Sequence, residues 1–271
     1  MSVGISIRNT IAVCSWLMLI TSSLAGEPML IAHRGLLRHA PENTMPAFAA
    51  CVELSLGFEL DIYSSRDDQL VVIHDPSLGR TTTGPNRSVR EFSVPELKRF
   101  DAGAWFHPSF RGLAIPTLEE VLSMVRQRKR GPTMIAINVK QITSAGERQL
   151  VTLVAKYGLL KESFAFEQAD ACSRRLKLHN PAFRIGQNVT RKNLAQHLVA
   201  GDLDVFMLSF MPTPDEVSLL RRQKKTILFN AAGATSAYYS PATWDRVKEA
   251  GFDGLLTDFV LDCRLHWQDR Q

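Results

Sequence analysis

Residues 57–75 read GFELDIYSSRDDQLVVIHD, and the alternation in the first half of that stretch constrains everything around it. In an extended strand successive side chains face opposite ways, so Glu59 and Asp61 share one face while Phe58, Leu60 and Ile62 take the other. Two carboxylates so placed repel each other. On a solvated edge strand, the commonest setting for Glu-x-Asp, water screens the repulsion. On a buried strand a cation between them relieves it, and an oxygen-rich, thiol-free ligand set favours Mg²⁺ or Ca²⁺ over zinc. A second apolar run, Leu70 to Ile73, ends in His74 and Asp75. An imidazole delivered beside a bound cation suits acid/base chemistry.

Upstream, Met29 to Ala32 is a short apolar run fit for a fully buried strand, and it ends in His33-Arg34-Gly35. That places an anion-binding side chain beside a residue that permits close backbone approach. Pro41-Glu42-Asn43-Thr44 reads as a turn into a helix over Met45 to Ser55, with Thr44 as its N-cap. Earlier still, Arg8, the apolar Ile11 to Ile20 and Ser23-Leu24-Ala25 have the order of an export signal cleaved after Ala25. The apolar core is shorter than the ~20 residues a spanning helix needs. Residues 1–25 are therefore expected to be removed, the protein to be exported to the periplasm or secreted, and residues 26–271 to form one large domain.

Downstream of His74, Pro76 to Pro116 carries turn residues, a short amphipathic piece from Val94 to Phe100, and the aromatics Trp105, Phe106 and Phe110. This reads as an inserted subdomain, since long loops inside compact domains tend to form lids or binding walls. Thr117 then caps a new helix, with Glu120 at its third position. Strands follow at Thr133 to Val139, Phe164 to Glu167, Phe183 to Gly186, Val205 to Ser209, Thr226 to Phe229 and Gly254 to Thr257. Helices are expected at Ser144 to Tyr157, Ala169 to Leu178, Thr190 to Ala200, Pro214 to Gln223 and Ala242 to Ala250. With the strands at Met29 and Gly57 this makes eight β/α units, an α/β fold of the TIM-type (β/α)8 barrel class with a small insertion after the second strand. Active sites in that architecture lie at the carboxyl ends of the strands. His33, Glu59, Asp61, Asn138, Lys140, Ser209, Asn230 and Asp258 all fall there.

The chain has 271 residues, 45% of them hydrophobic, and a formal charge of +5, one unit less once Arg8 is gone. Its basic clusters, Arg126 to Arg130 and Arg221 to Lys225, sit at expected helix ends, where cations complement the helix dipole. They are read as solvated C-termini, not nucleic-acid contacts, and leave room for no more than a weak attraction to anionic lipid head groups. Beyond the export signal three cysteines remain, Cys51, Cys172 and Cys263, so at least one thiol is free, and no spacing suggests zinc. His39 and His107 are given no role, and His179, His197 and His266 are expected at the surface. Met207 and Met211 are read as core and loop.

The order His33-Arg34-Gly35, Pro41-Glu42-Asn43-Thr44, Glu59-x-Asp61, His74-Asp75, continuing through Arg80-Thr81-Thr82 and Ile115-Pro116-Thr117-Leu118-Glu119-Glu120 to Gly254-Leu255-Leu256-Thr257-Asp258, resembles the glycerophosphodiester phosphodiesterases. The resemblance spans nearly the whole chain beyond residue 25. It implies a barrel enzyme that cleaves a glycerophosphodiester to glycerol 3-phosphate and an alcohol, with one divalent cation, Mg²⁺ or Ca²⁺. By that resemblance His33 and His74 are the acid/base pair and Glu59 and Asp61 hold the cation. Arg34 and Glu42 fall among the substrate-binding residues, and Lys140 offsets charge on the phosphate oxygens.

Two departures carry consequences. Where the family has a glutamate as third metal ligand this chain has Asn138, two residues before Lys140; an amide oxygen coordinates without adding charge, so weaker cation affinity is expected. Phe229-Asn230-Ala231 replaces a Trp-Thr-Val-Asn run, which implies a different substrate-facing wall. Two alternatives stand beside the leading one. A related enzyme would act on lysophospholipids, with Trp105 and Phe106 lining an acyl-chain site. A non-catalytic phosphodiester-binding relative is disfavoured because binding alone does not require both histidines.

Overall fold

A computed structural model of the chain describes residues 27–167, 171–233 and 239–269. The expected export signal lies outside these residues. Eight parallel strands among them form a nearly closed barrel: β1 (Met29–Ala32), β2 (Gly57–Ser64), β4 (Ile135–Gln141), β5 (Ser163–Phe166), β6 (Gly186–Val189), β7 (Val205–Leu208), β8 (Thr226–Asn230) and β9 (Gly254–Thr257). β1 pairs with β9 from Met29↔Gly254 to Ala32↔Thr257, which joins the two ends of the fold. β5 joins the residue just before β6 at the isolated Ala165↔Ile185 bridge. The expected TIM-type barrel is the architecture observed.

Period-two alternation sorts each strand between two cores. Ile31, Ala136, Phe164, Phe166, Val205, Met207, Leu228 and Leu256 fill the barrel interior. Leu30, Ala32, Phe58, Leu60 and Ile62 belong to the layer between strands and helices. That outer layer is covered by α1 (Met45–Glu53), α3 (Leu118–Arg128), α4 (Ser144–Lys156), α5 (Ala171–His179), α6 (Leu194–Ala200), α7 (Pro214–Arg222), α8 (Pro241–Glu249) and α9 (Val260–Gln268). α3 starts with the capping box that its sequence predicts, Thr117 with Glu120. The basic clusters fall where α3 and α7 end, and Arg221 pairs with Asp253 at 2.6 Å.

The segment from Pro76 to Pro116 builds its own small core. Leu78, Val89, Leu97, Ala102 and Ile115 pack on Tyr63, Val71 and Ile73, the last two in or beside β3 (Leu70–Val72), which runs antiparallel to β2. It contains a single turn of α-helix, α2 (Val94–Leu97).

Several local expectations need correction. The fifth barrel strand, β6, begins at Gly186, because Phe183 and Ile185 are buried in the outer layer and the parallel register with β7 starts at Gly186↔Val205. α6 begins at Leu194, since the Asn193 side chain accepts from both the amide and the hydroxyl of Thr190 and closes a turn there. Thr44 occupies the N-cap position of α1, yet its hydroxyl donates back to the Pro41 carbonyl and caps nothing. His197 is buried: three residues from Leu194, it shares that helix's inner face. His266 is half-buried, 2.9 Å from Asp245. Cys51, Cys172 and Cys263 are all free and buried.

Candidate active site

The site sits one inward step above the apolar interior. Ile31, Ala136, Leu228 and Leu256 line the barrel, and two residues further along the same face come His33, Asn138, Asn230 and Asp258. On β2 the inward positions are Glu59 and Asp61, 1% and 0% exposed. The carboxylate pair therefore lies at the carboxyl end of the barrel, not on a solvated edge.

The turn after β1 is shaped to hold its side chains. Arg34 and Asn43 both adopt left-handed backbone, with φ of 54° and 56°, conformations that cost a residue with a β-carbon and cluster at functional sites. Gly35 has φ of 77°, and a β-carbon there would stand 2.8 Å from the Ala47 side chain. Its close approach is thus to α1. In return the Arg34 amide donates to Glu59 Oε2 at 3.0 Å, and the Asn43 side chain donates to Asp61 Oδ2 at 2.9 Å while accepting from the Asp61 amide.

Asp61 stands at the centre of this cluster. Besides Asn43 it meets Asn138 Nδ2 at 2.9 Å, Lys140 Nζ at 3.2 Å and Arg34 Nε at 3.7 Å. Glu59 is less well compensated: burial and the neighbouring Asp61 push its carboxyl up to about 7. Glu59 Oε2 is 4.0 Å from His33 Nε2.

Each histidine is backed by a carboxylate. His33 Nδ1 lies 2.6 Å from Asp258 Oδ1, and Arg34 Nε donates to His33 Nε2 at 3.3 Å. That pattern suits the tautomer with the proton on Nδ1. Burial disfavours the charged imidazole, but the bond to Asp258 and the charges of Glu59 and Asp258 outweigh it, so the pKa is raised. His74 Nδ1 lies 2.6 Å from Asp75 Oδ1. Arg80 grips Asp75 in turn and, as the main cause, holds that carboxyl down at about 2. Glu42 accepts from both Arg34 and Arg80; against the effect of burial, these two cations lower its pKa.

Of the residues singled out from sequence, His33, Arg34, Glu42, Glu59, Asp61, Asn138 and Lys140 form one bonded cluster, with His74 joined to it through Asp75 and Arg80. Asn230 stands apart, donating to Asn188 at 2.7 Å, and Ser209 is exposed beyond β7. Asn43, Asp75, Arg80 and Asp258 had no assigned part. Two signals were legible for them: Asp75 adjoins a site histidine, and Asp258 occupies an inward position at a strand end.

Among the described residues no group of three His, Cys, Asp or Glu side chains is placed to hold a metal. The donor set nevertheless fits a hard cation. Glu59 and Asp61 are two buried carboxylates on one face, Asn138 adds a carboxamide, and Mg²⁺ in particular is commonly bound by one or two carboxylates with water and phosphate oxygens completing its shell.

The arrangement defines a class: a (β/α)8-barrel protein with two carboxylate-backed imidazoles at the carboxyl face of its strands. Residues 33–262 match the model of the glycerophosphoryl diester phosphodiesterase family, and the chain belongs to that family. A glycerophosphodiester phosphodiesterase of Caldanaerobacter subterraneus subsp. tengcongensis is 30% identical over 247 residues, covering 86% of this chain and 94% of that one. Matches to three other curated relatives from Bacillus are local, spanning 41%, 47% and 44% of their lengths. The crystal structure of a glycerophosphodiester phosphodiesterase from Agrobacterium tumefaciens superposes with a TM-score of 0.73 at 25% identity, covering 85% of this chain and 96% of that one. An Oleispira antarctica phosphodiesterase, solved with its product sn-glycerol-3-phosphate, has a TM-score of 0.71 at 22% identity, with 89% and 97% covered.

Proposed function

We propose that this chain, a phosphoric diester hydrolase by its family, cleaves glycerophosphodiesters to glycerol 3-phosphate and an alcohol by paired histidine acid/base catalysis at a divalent cation site. The observation that carries this reading is the geometry of the two imidazoles. Each has Nδ1 2.6 Å from a carboxylate, and the Glu59–Asp61 pair stands beside the first of them.

With its proton on Nδ1, His33 keeps the Nε2 lone pair, which accepts from Arg34 Nε at 3.3 Å and would take a proton once Arg34 turns to the phosphate. One imidazole takes the proton of the attacking hydroxyl, from water or from a neighbouring substrate group, as the phosphorus–oxygen bond to the alcohol breaks. The other gives a proton to the departing alkoxide. Both roles suit a group that changes charge near neutral pH. Arg34 and Lys140, both near Asp61, supply positive charge where phosphate oxygens would bind. Glu59, Asp61 and the Asn138 carboxamide would hold the cation, which when bound offsets charge on the phosphate. Mg²⁺ and Ca²⁺ both suit that oxygen set.

A second reading has one specific observation behind it. Trp105, 40% exposed, stacks edge-on with Phe106, which stacks edge-on with Phe110. Asp101 holds their loop by accepting from the amides of Gly103, Ala104 and Gly112. Such a surface suits an acyl chain and hence a lysophospholipid. The non-catalytic alternative has less behind it, since a pure binding site has no use for carboxylate-backed imidazoles.

Residues 1–25 are read as an export signal, which would put the activity in the periplasm or outside the cell. No helix among the described residues is long and apolar enough to cross a membrane. Assaying purified protein against glycerophosphocholine and a lysophosphatidylcholine, with Mg²⁺, Ca²⁺ or chelator, tests the reaction, the cation and the substrate class together.

A further inference from the structure

Arg80 sits on the inserted segment, yet its guanidinium reaches two carboxylates of the site at once. Nε and Nη2 donate to Asp75 at 2.5 and 2.9 Å, and Nη1 and Nη2 donate to Glu42 at 3.0 and 2.7 Å. Four of its five N–H donors are thereby used. Asp75 is the carboxylate behind His74, and Glu42 is the one behind Arg34. A single side chain thus closes an unbroken row: Arg34, Glu42, Arg80, Asp75, His74.

The turn that carries Arg80 is anchored on both sides. Leu78 is fully buried in the insertion's core, and its carbonyl accepts from both the amide and the hydroxyl of Thr82. Thr82 accepts in turn from the Gly84 amide. An isolated exposed ion pair contributes little, and the Arg80 side chain is 44% exposed. Here, however, both acceptors are shielded, Glu42 at 11% and Asp75 at 22% exposed, and the contact to each is bidentate. Only the planar fork of arginine matches two carboxylates in this way.

We propose that Arg80 is a positioning residue for both halves of the site: by clamping Glu42 to Asp75 it fixes the Arg34 guanidinium and the His74 imidazole in one frame. The insertion is then part of the catalytic assembly, and a loop swap that moves Arg80 would disturb acid/base chemistry without touching either histidine. This inference rests on the proposed role of His74, so its test includes a measurement that needs no turnover.

The tautomer of His74 is read by imidazole ¹⁵N NMR of the cation-free, substrate-free protein at neutral pH, its signal assigned by loss in His74→Asn. The wild type is expected to show the proton fixed on Nδ1. Arg80→Met, and Arg80→Gln should the first fold poorly, are expected to show a tautomer mixture, with Arg80→Lys between. On glycerophosphocholine, Arg80→Met should lower kcat/KM about 100-fold, the size of effect a small misplacement brings, with kcat reduced and KM raised, and Arg80→Lys should recover part of both. A folded Arg80→Met protein whose His74 signal matches wild type overturns the proposal. Raised KM with an unchanged His74 signal would make Arg80 a substrate contact instead. If wild type shows no hydrolysis while the tautomer shifts as expected, the positioning geometry stands and the proposed reaction fails.

Discussion

His33 Nδ1 and Asp258 Oδ1 are 2.6 Å apart across 225 residues of chain, so the first and last strands of the barrel are joined by a bond inside the site as well as by their backbone pairing. Asp258→Asn keeps the size of the side chain and removes its charge. Two of the contributions that raise the His33 pKa come from Asp258, so the variant's imidazole must lose its proton at lower pH than the wild type's. A ¹H–¹⁵N titration of His33 reads that shift directly. A fall in kcat of about 100- to 10,000-fold should accompany it, the range over which proton transfer by a positioned group contributes.

Glu59 makes a prediction about stability. Unfolded, a glutamate ionises near pH 4.3; folded, this one is pushed up to about 7 by burial and by Asp61. Between those values the native state binds more protons than the unfolded state, so stability falls as pH rises through that window. Without divalent cations, the drop in Tm between about pH 5 and pH 8 should be smaller in Glu59→Gln than in wild type. Added Mg²⁺ or Ca²⁺ should restore the wild-type Tm at the upper pH and leave the variant's almost unmoved.

Asn138 gives opposite signs with and without cation. Its amide donates to Asp61 at 2.9 Å, so Asn138→Glu replaces an attractive contact with a third carboxylate. The cation-free variant should melt lower than wild type by several degrees, the scale of about 1 to 2 kcal/mol in a chain of this size. Calorimetric titration should show it binding Mg²⁺ or Ca²⁺ more tightly than wild type. Equal affinity would mean that the side chain does not reach the ion.

The helical layer can be tested separately from the chemistry. Glu147 on α4 is 3% exposed and held by Arg175 of α5 through three contacts of 2.6 to 3.0 Å. Arg175→Ala leaves that carboxylate without its partner. Because the arginine is half exposed, water can compensate in part, and the expected loss is about 2 kcal/mol, below the range for a fully buried pair. Urea denaturation measures it, with kcat unchanged.

Much of this site was legible in the chain because a strand has period two. Once Glu59 and Asp61 share a face with the barrel interior, the residues two beyond Ile31, Ala136 and Leu256 must share it as well, which places His33, Asn138 and Asp258. The turn-based contacts were not legible. Asn43 reaches Asp61 because of a left-handed backbone at Asn43 itself, and Arg80 reaches Glu42 across 38 residues because Leu78 is seated in the insertion's core. Neither follows from spacing. The start of β6 is hidden for a related reason: Phe183 and Ile185 alternate like a strand and are both buried in the outer layer, but the parallel register with β7 starts only at Gly186. His197 differs from its expected surface position because a histidine three residues from Leu194 looks polar in sequence and faces inward in the helix.

In the proposed reaction His33 and His74 together move the protons of a cation-assisted phosphodiester cleavage. The most direct measurement is release of glycerol 3-phosphate from glycerophosphocholine by the wild-type protein, His33→Asn and His74→Asn, each confirmed folded and each assayed with Mg²⁺ or Ca²⁺ and with chelator. Wild type is expected to show turnover that chelator abolishes, and either variant a fall of about a thousandfold. Near-wild-type turnover in a folded histidine variant, or wild-type hydrolysis indifferent to chelator, would contradict it.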